Sequence, residues 1–125
     1  MDNVLKVFAE QFQRCWLCGA LQKHTWHGLD IHHIVRGARR ARARGHRAAL
    51  IRACRYCHTS RLDGMSIVRQ LALKWLWDPE GYDLWAVNRL RGRADDAVTQ
   101  DEVLTEVASL ERDAIGNGYS YPREW

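Results

Sequence analysis

The chain has 125 residues, 46% of them hydrophobic and 27% charged, with only two prolines. This composition predicts one folded domain and excludes a disordered or low-complexity chain. The apolar runs are too short for a membrane-spanning helix, and residues 1–13 lack the apolar core of a secretory signal. We therefore expect a cytoplasmic protein with no membrane partner. The net charge of +4 is uneven, because residues 1–62 hold 12 basic and 3 acidic residues and residues 63–125 hold 7 and 12. This asymmetry indicates a polyanionic partner for the first half.

The first half is predicted to contain a helix followed by two short strands. Apolar residues recur at three- and four-residue intervals over residues 3–13, which indicates a helix with one buried stripe. Residues 29–33 alternate as in a strand and suggest a short hairpin, and residues 48–53 suit a return strand or turn that leads into a helix start. Between them, residues 36–47 contain no acid and almost no bulky apolar residue, so we expect a solvated loop.

The second half is predicted to be helical, with helices over residues 66–77, 83–90 and 101–113. The last of these follows a capping box that starts at Thr99 and ends at Glu102. The apolar residues of these helices suit a core packed on the first half. A second possibility is a homodimer interface, since closed twofold oligomers are common.

The four cysteines form two C-x2-C pairs separated by thirty-five residues, and they are Cys15, Cys18, Cys54 and Cys57. Two such pairs provide the four thiolates of a closed structural zinc site. The alternatives are two disulfides or four unpaired buried thiols, but disulfides are rare in the reducing compartment expected here. We therefore predict a zinc ion that joins two distant segments, and whose removal loosens the first half.

Three histidines and one acid lie close to the cysteine pairs. Asp30, His32 and His33 belong to the predicted strand, where His32 and Asp30 share one face and His33 lies on the other. His58 directly follows the last cysteine. Neutral imidazole can take a proton from water near neutral pH, and imidazole also binds divalent metals. Taken alone, a histidine pair is more often an ordinary pair of partly exposed strand residues.

The order C-x2-C, Asp-Ile-His-His-Ile, Cys-Arg-Tyr-Cys-His resembles the HNH nucleases with a zinc-bound ββα-metal fold, over about residues 15–62. The resemblance implies an α+β fold, in which a zinc-stapled ββα-metal core (residues 15–64) follows an N-terminal helix (1–14) and precedes a helical extension (65–125) in one domain. It implies that His33 is the general base, that His32 and His58 bind the catalytic metal, and that Asp30 supports His32. The implied cofactors are structural zinc and catalytic magnesium or manganese, although a two-imidazole site also suits nickel or a second zinc.

One position departs from the family pattern. The family has an asparagine five residues before the second cysteine pair, and Ala49 stands there in this chain. Alanine can neither orient the base histidine nor assist at the metal. The interpretations are a natural loss of activity, replacement by a nearby polar residue such as His46, or an engineered substitution.

Seven arginines within seventeen residues are the predicted nucleic-acid contacts, namely Arg36, Arg39, Arg40, Arg42, Arg44, Arg47 and Arg52. The leading hypothesis is a metal-dependent DNA endonuclease of phage or mobile-element type, which would act in the host cytoplasm. Branched or junction DNA is one candidate substrate. A homodimer would supply two active sites, one for each strand that is cut. The alternative is a non-catalytic zinc module that binds nucleic acid.

Overall fold

The computed structural model describes residues 3–92 and 96–116, without the side chains of residues 38 and 114–116. Within these residues the fold is α+β, with six α-helices and a two-stranded antiparallel sheet. The elements in chain order are α1 (Asn3–Gln11), β1 (Leu29–His33), α2 (Arg40–Ala43), β2 (Leu50–Cys54), α3 (Arg55–Cys57), α4 (Ile67–Trp77), α5 (Leu84–Arg91) and α6 (Gln100–Gly116). None of the described helices is long and apolar enough to cross a membrane.

The sheet joins the segments that follow and precede the two cysteine pairs. Leu29 of β1 pairs with Cys54 of β2, and His33 at the other end pairs with Leu50. Both predicted strands are confirmed. The partner of β1 is the distant strand β2, whereas the nearer first cysteine pair is closed by a single bridge between Arg14 and Leu21. The sheet therefore brings Cys54 and Cys57 next to the start of β1.

The arginine-rich stretch is more ordered than the sequence predicts. The expected solvated loop over residues 36–47 contains a 3-10 turn at Gly37–Arg39 and the short helix α2. Ala43 of α2 is fully buried, while Arg40 and Arg42 are exposed. Alanine has the highest helix propensity, so alternating Ala and Arg permits a helical turn with an apolar contact on one side.

The helical second half is confirmed, and each helix start has its cap. Ser66 accepts a hydrogen bond from the backbone N–H of Arg69 at the start of α4, and Asp83 accepts one from Ala86 in α5. Thr99 and Glu102 exchange the reciprocal bonds of the predicted capping box before α6. The apolar stripe of α6 packs inside the chain, with Val103, Val107 and Leu110 buried.

One cluster of buried apolar residues includes side chains from the N-terminal helix, from the segment with the cysteines and strands, and from the helical second half. Trp16, beside the first cysteine, stacks on Trp77 of α4 with ring centroids 6.0 Å apart, and it meets Phe8 of α1 edge-on. Aromatic contacts of this kind contribute about 0.5–1.5 kcal/mol beyond the burial of area. The N-terminal helix and α4 therefore pack on the cysteine segment and hold it against the sheet.

Candidate functional site

The four cysteines converge at one end of the sheet, and their sulfur atoms all lie within 4.8 Å of one another. Cys18 Sγ and Cys54 Sγ are 3.8 Å apart, and none of the four cysteines forms a disulfide. Four sulfurs placed about 2.3 Å from a central zinc ion are themselves about 3.8 Å apart. The backbone N–H groups of Leu17 and Cys57 point at the sulfurs of Cys15 and Cys54, as in metal-binding turns. The four-cysteine cluster can therefore hold a structural zinc ion.

Burial makes ionisation of two of the four thiols depend on a compensating positive charge, whereas at Cys54 burial is outweighed by hydrogen bonds from Cys57, Cys18 and Cys15, which lower its pKa. Burial raises the pKa of the Cys15 thiol to about 11 and also raises the pKa of Cys57. Buried thiols of this kind carry no charge near neutral pH unless a positive ion compensates them. A divalent metal supplies that charge, so occupancy by metal and ionisation of the thiols are coupled.

A second cluster consists of His32, His58 and Asp63, whose ligand atoms lie within 4.8 Å of one another. The π-helical turn at His58–Leu62 explains why Asp63 belongs to it. In an α-helix, residues five apart are rotated by about 140° from each other, whereas the wider π turn brings them nearer to one face. Asp63 is not predicted as a ligand from the sequence, because an acid before a glycine is typical of a turn.

Hydrogen bonds settle which ring nitrogen of His32 is free. Gln70 of α4 donates its amide N–H to the carbonyl of Met65 at 2.8 Å, so its oxygen faces His32 Nε2, also at 2.8 Å. His32 Nε2 must donate to that oxygen, which leaves the lone pair of Nδ1 for a metal. Burial lowers the pKa of His32 to about 4, so the ring is neutral. The role of Gln70 is not predicted from the sequence, because an amide inside a predicted helix carries no specific signal.

Asp30 contacts His58 rather than His32, which corrects the pairing that the resemblance implies. Its carboxylate accepts a hydrogen bond from His58 Nδ1 at 3.0 Å and another from Arg55 at 3.1 Å. Burial alone would raise the pKa of Asp30, but the bonds from His58 and Arg55 outweigh it and lower the pKa. The bond fixes the proton of His58 on Nδ1 and leaves Nε2 for a metal.

His33 has the arrangement of a candidate base. Its Nε2 donates to the carbonyl of Arg44 at 3.3 Å, and its Nδ1 is buried with no hydrogen-bond partner among the described residues. Burial lowers the pKa of His33, and the bond to Arg44 only partly offsets this. The ring is therefore neutral near pH 7 and keeps one uncommitted lone pair.

These side chains meet in one cleft of about 240 Å³, which we call the histidine cleft; its walls include His32, His33, His58, Asp63, Arg36 and Arg40. His32 and His33 leave opposite faces of β1, but both reach the cleft because the strand ends at His33. The structure therefore brings together the three histidines singled out from the sequence, while Asp30 acts on the cleft through His58.

The predicted arginine contacts divide into two groups. Five of them are exposed, namely Arg36, Arg39, Arg40, Arg42 and Arg44. Arg52 is only 5% exposed, and it donates to the carbonyls of Phe12 and Leu29 and to the side chain of Gln22. Arg47 forms a bidentate ion pair with the buried carboxylate of Asp78. Arg52 thus holds the fold together, which corrects its placement among nucleic-acid contacts, whereas Arg47 is paired with Asp78 but keeps a 33% exposed side chain.

Ala49 lies directly beside the end of β1 and is fully buried. Its carbonyl accepts a hydrogen bond from the N–H of Ile34 at 2.8 Å, one residue beyond His33. The backbone on both sides is held by Lys74 of α4, whose ammonium donates to the carbonyls of Arg47 and Leu50. The backbone of Ala49 is therefore fixed next to the residue that follows His33. His46, the suggested substitute, has a buried Nδ1 without a partner among the described residues.

No protein-family model matches this chain, and neither the curated proteins nor the solved structures contain a significant match.

Proposed function

We propose that the chain is a metal-dependent DNA endonuclease that hydrolyses phosphodiester bonds with a histidine general base. The observation that carries this proposal is the histidine cleft, where an uncommitted, neutral His33 lies with the ligand set His32, His58 and Asp63. The motif order shared with the HNH nucleases supports the same reading. The four-cysteine cluster serves as a structural zinc site that holds β2 and α3 in place.

The donor set of the cleft suits a catalytic divalent cation. Two imidazoles and one carboxylate leave coordination positions open for water and for a phosphate oxygen. Manganese, nickel and zinc accept imidazole readily, and magnesium prefers oxygen ligands, so the set favours manganese over magnesium. A divalent cation held by His32, His58 and Asp63 would stabilise the negative charge that develops on the phosphate and on the leaving oxygen.

His33 would accept a proton at Nδ1 as a water oxygen attacks the phosphorus atom and the bond to the leaving oxygen breaks, a step that requires this buried nitrogen to become accessible to the water. The carbonyl of Arg44 keeps the other proton on Nε2 and so maintains the tautomer that a base needs. The guanidinium groups of Arg36 and Arg40, on the same cleft, suit contacts with the phosphates on either side of the attacked one. No covalent enzyme intermediate is required.

The exposed arginines support DNA as the polyanion, with branched or junction DNA of phage or mobile-element origin as the candidate substrate, encountered in the host cytoplasm. Phosphate contacts supply affinity without sequence choice. One cleft per chain cuts one strand, so a duplex or junction calls for two copies of the chain. We propose that the C-terminal helices form the dimer through residues that the intramolecular core leaves exposed, such as Leu104 and Trp85.

A second candidate function is a non-catalytic zinc module that binds nucleic acid, and Ala49 favours it. Alanine at this buried position offers no polar group to orient His33. On this reading the arginines and the zinc site remain in use while the hydrolytic step is lost.

Cleavage of supercoiled plasmid and of a labelled four-way junction, with manganese or magnesium, tests the two functions. The proteins are the chain as given, Ala49→Asn, and Ala49→Asn combined with His33→Ala. The matched control combines Ala49→Asn with His27→Ala, because His27 is an exposed histidine outside the cleft. The nuclease proposal expects cleavage by Ala49→Asn and by the control, and none after loss of His33. If all four bind DNA with strong salt dependence and none cuts, the binding module is correct.

A further inference from the structure

A second cavity, of about 550 Å³, adjoins the histidine cleft and is lined by arginines from two separate parts of the chain. Arg36 and Arg39 come from the segment after β1, and Arg91 comes from the last turn of α5. We call it the arginine cavity. Arg36 lines both cavities, so a strand that leaves the histidine cleft past Arg36 enters the arginine cavity next.

The backbone is shaped to hold these guanidinium groups. Gly92 ends α5 with a φ of +69°, a left-handed conformation that favours glycine, and its N–H donates back to the helix. The Arg39 guanidinium lies directly over Gly92, where a Cβ atom would collide with it. The glycine therefore both turns the chain and makes room for Arg39 at the cavity wall.

The charge in this cavity is only partly neutralised by the described part of the chain. None of the described acids pairs with Arg39 or Arg91, and Arg91 donates a hydrogen bond to the side-chain oxygen of Asn88, at 3.4 Å. Arg36 donates to the carbonyl of Asp63, and its distance to the Asp63 carboxylate is 4.0 Å. Three guanidinium groups around one cavity repel one another unless an anion lies between them.

The chemistry of the lining identifies the ligand class. The guanidinium fork matches phosphate oxygens in pairs, and Ile67 adds an apolar wall on which a sugar or base can pack. The volume lies within the range of about 300–1,000 Å³ that is typical of small-ligand sites. Backbone phosphates of an intact duplex lie on a convex surface and need no such cavity, whereas an unpaired nucleotide can enter it.

We propose that the arginine cavity binds one unpaired nucleotide next to the phosphodiester held in the histidine cleft, with its phosphate between Arg39 and Arg91. This inference rests on the proposed function and narrows its substrate to DNA in which a duplex meets a single strand, such as a flap, an overhang or a branch point. Arg36, shared by both cavities, contacts the phosphate between the two sites.

The test measures binding alone, so it does not depend on cleavage. Fluorescence anisotropy of the zinc-loaded chain, without a second metal, compares a labelled duplex with the same duplex carrying a single-stranded overhang. The variants are Arg39→Ala and Arg91→Ala. The matched control is Arg89→Ala, because Arg89 is on the same helix but lies over the ring of Trp85, outside the cavity. Melting temperatures show that each variant is folded.

We expect the chain as given to bind the duplex with the overhang about 10-fold more tightly than the plain duplex. This ratio is the one expected from a single charge-assisted hydrogen bond. Arg39→Ala and Arg91→Ala should abolish this preference, and Arg89→Ala should keep it. The inference is overturned if the chain shows no preference, or if all three variants weaken both DNAs equally. If the preference for the overhang depends on Arg91 and Ala49→Asn cuts no DNA, the nucleotide site in the arginine cavity stands and the nuclease proposal is rejected.

Discussion

Replacement of Lys74 by methionine tests the energetics of the buried network behind the histidine cleft. Lys74 is fully buried, and its ammonium donates to Asp78 at 2.8 Å and to the carbonyls of Arg47 and Leu50. Burial lowers its pKa from 10.5 to about 8, although Asp78 opposes the shift and Arg47 reinforces it. Lys74→Met keeps the length and apolar character of the stem and removes the titrating group.

The magnitude follows from this difference in pKa between the folded and unfolded states. Between pH 8 and pH 10.5 the unfolded chain holds a proton on Lys74 that the folded chain has released, so the free energy of unfolding rises with pH. At about 1.36 kcal/mol per pKa unit, the full rise is about 3 kcal/mol. Roughly 2 kcal/mol of it falls between about pH 7 and about pH 9.5. Lys74→Met lacks this contribution.

Urea unfolding, followed by tryptophan fluorescence with zinc in excess, measures the effect at both pH values. The stability of the chain as given, minus that of Lys74→Met, should increase by about 2 kcal/mol from pH 7 to pH 9.5. Titration of the cysteines and of Tyr82 is common to both proteins and cancels in this difference. Lys6→Met, at an exposed lysine of α1, is the control and should show almost no change. A pH-independent difference for Lys74→Met would refute the reasoning.

Three further predictions concern the two metal clusters and the buried arginine. Removal of zinc with a strong chelator should lower the melting temperature and reduce the helical circular dichroism signal, because binding and folding of the cysteine cluster are coupled; an unchanged melting curve would contradict a structural zinc. Arg52→Met should cost at least about 2 kcal/mol in urea unfolding because three hydrogen bonds are lost, whereas Arg42→Met, at an exposed position, should cost almost nothing. Gln70→Leu should weaken manganese binding to the zinc-loaded chain about 10-fold or more in calorimetry, because His32 loses the partner that orients it; equal affinity would exclude this role.

Local sequence patterns predicted much of the fold. The strand alternation around His32 and His33, the capping box at Thr99 and the three C-terminal helices all depend on residues within a few positions of one another. The cysteine pairs are also local, since two intervening residues already place both thiols of a turn on one side. Such features survive in any tertiary arrangement, so the sequence predicts them well.

The sequence could not predict which polar side chains complete the histidine cleft. Gln70 lies thirty-eight positions from His32, and Asp63 reaches the same cluster only because of a π turn. Nor could it separate Arg52, buried in β2, from the exposed Arg42, since both belong to the same run of seven arginines within seventeen residues. Each outcome depends on which groups lie within hydrogen-bonding distance after packing.

The sequence by itself determined the donors: four paired cysteines, three histidines near them, and a run of arginines. The tertiary structure decided their roles. Packing of α4 on β2 buries His32 against Gln70, and the antiparallel pairing of β1 with β2 carries Asp30 to His58. The physical reason is that a buried polar group must find a partner, and that partner comes from whichever element packs against it.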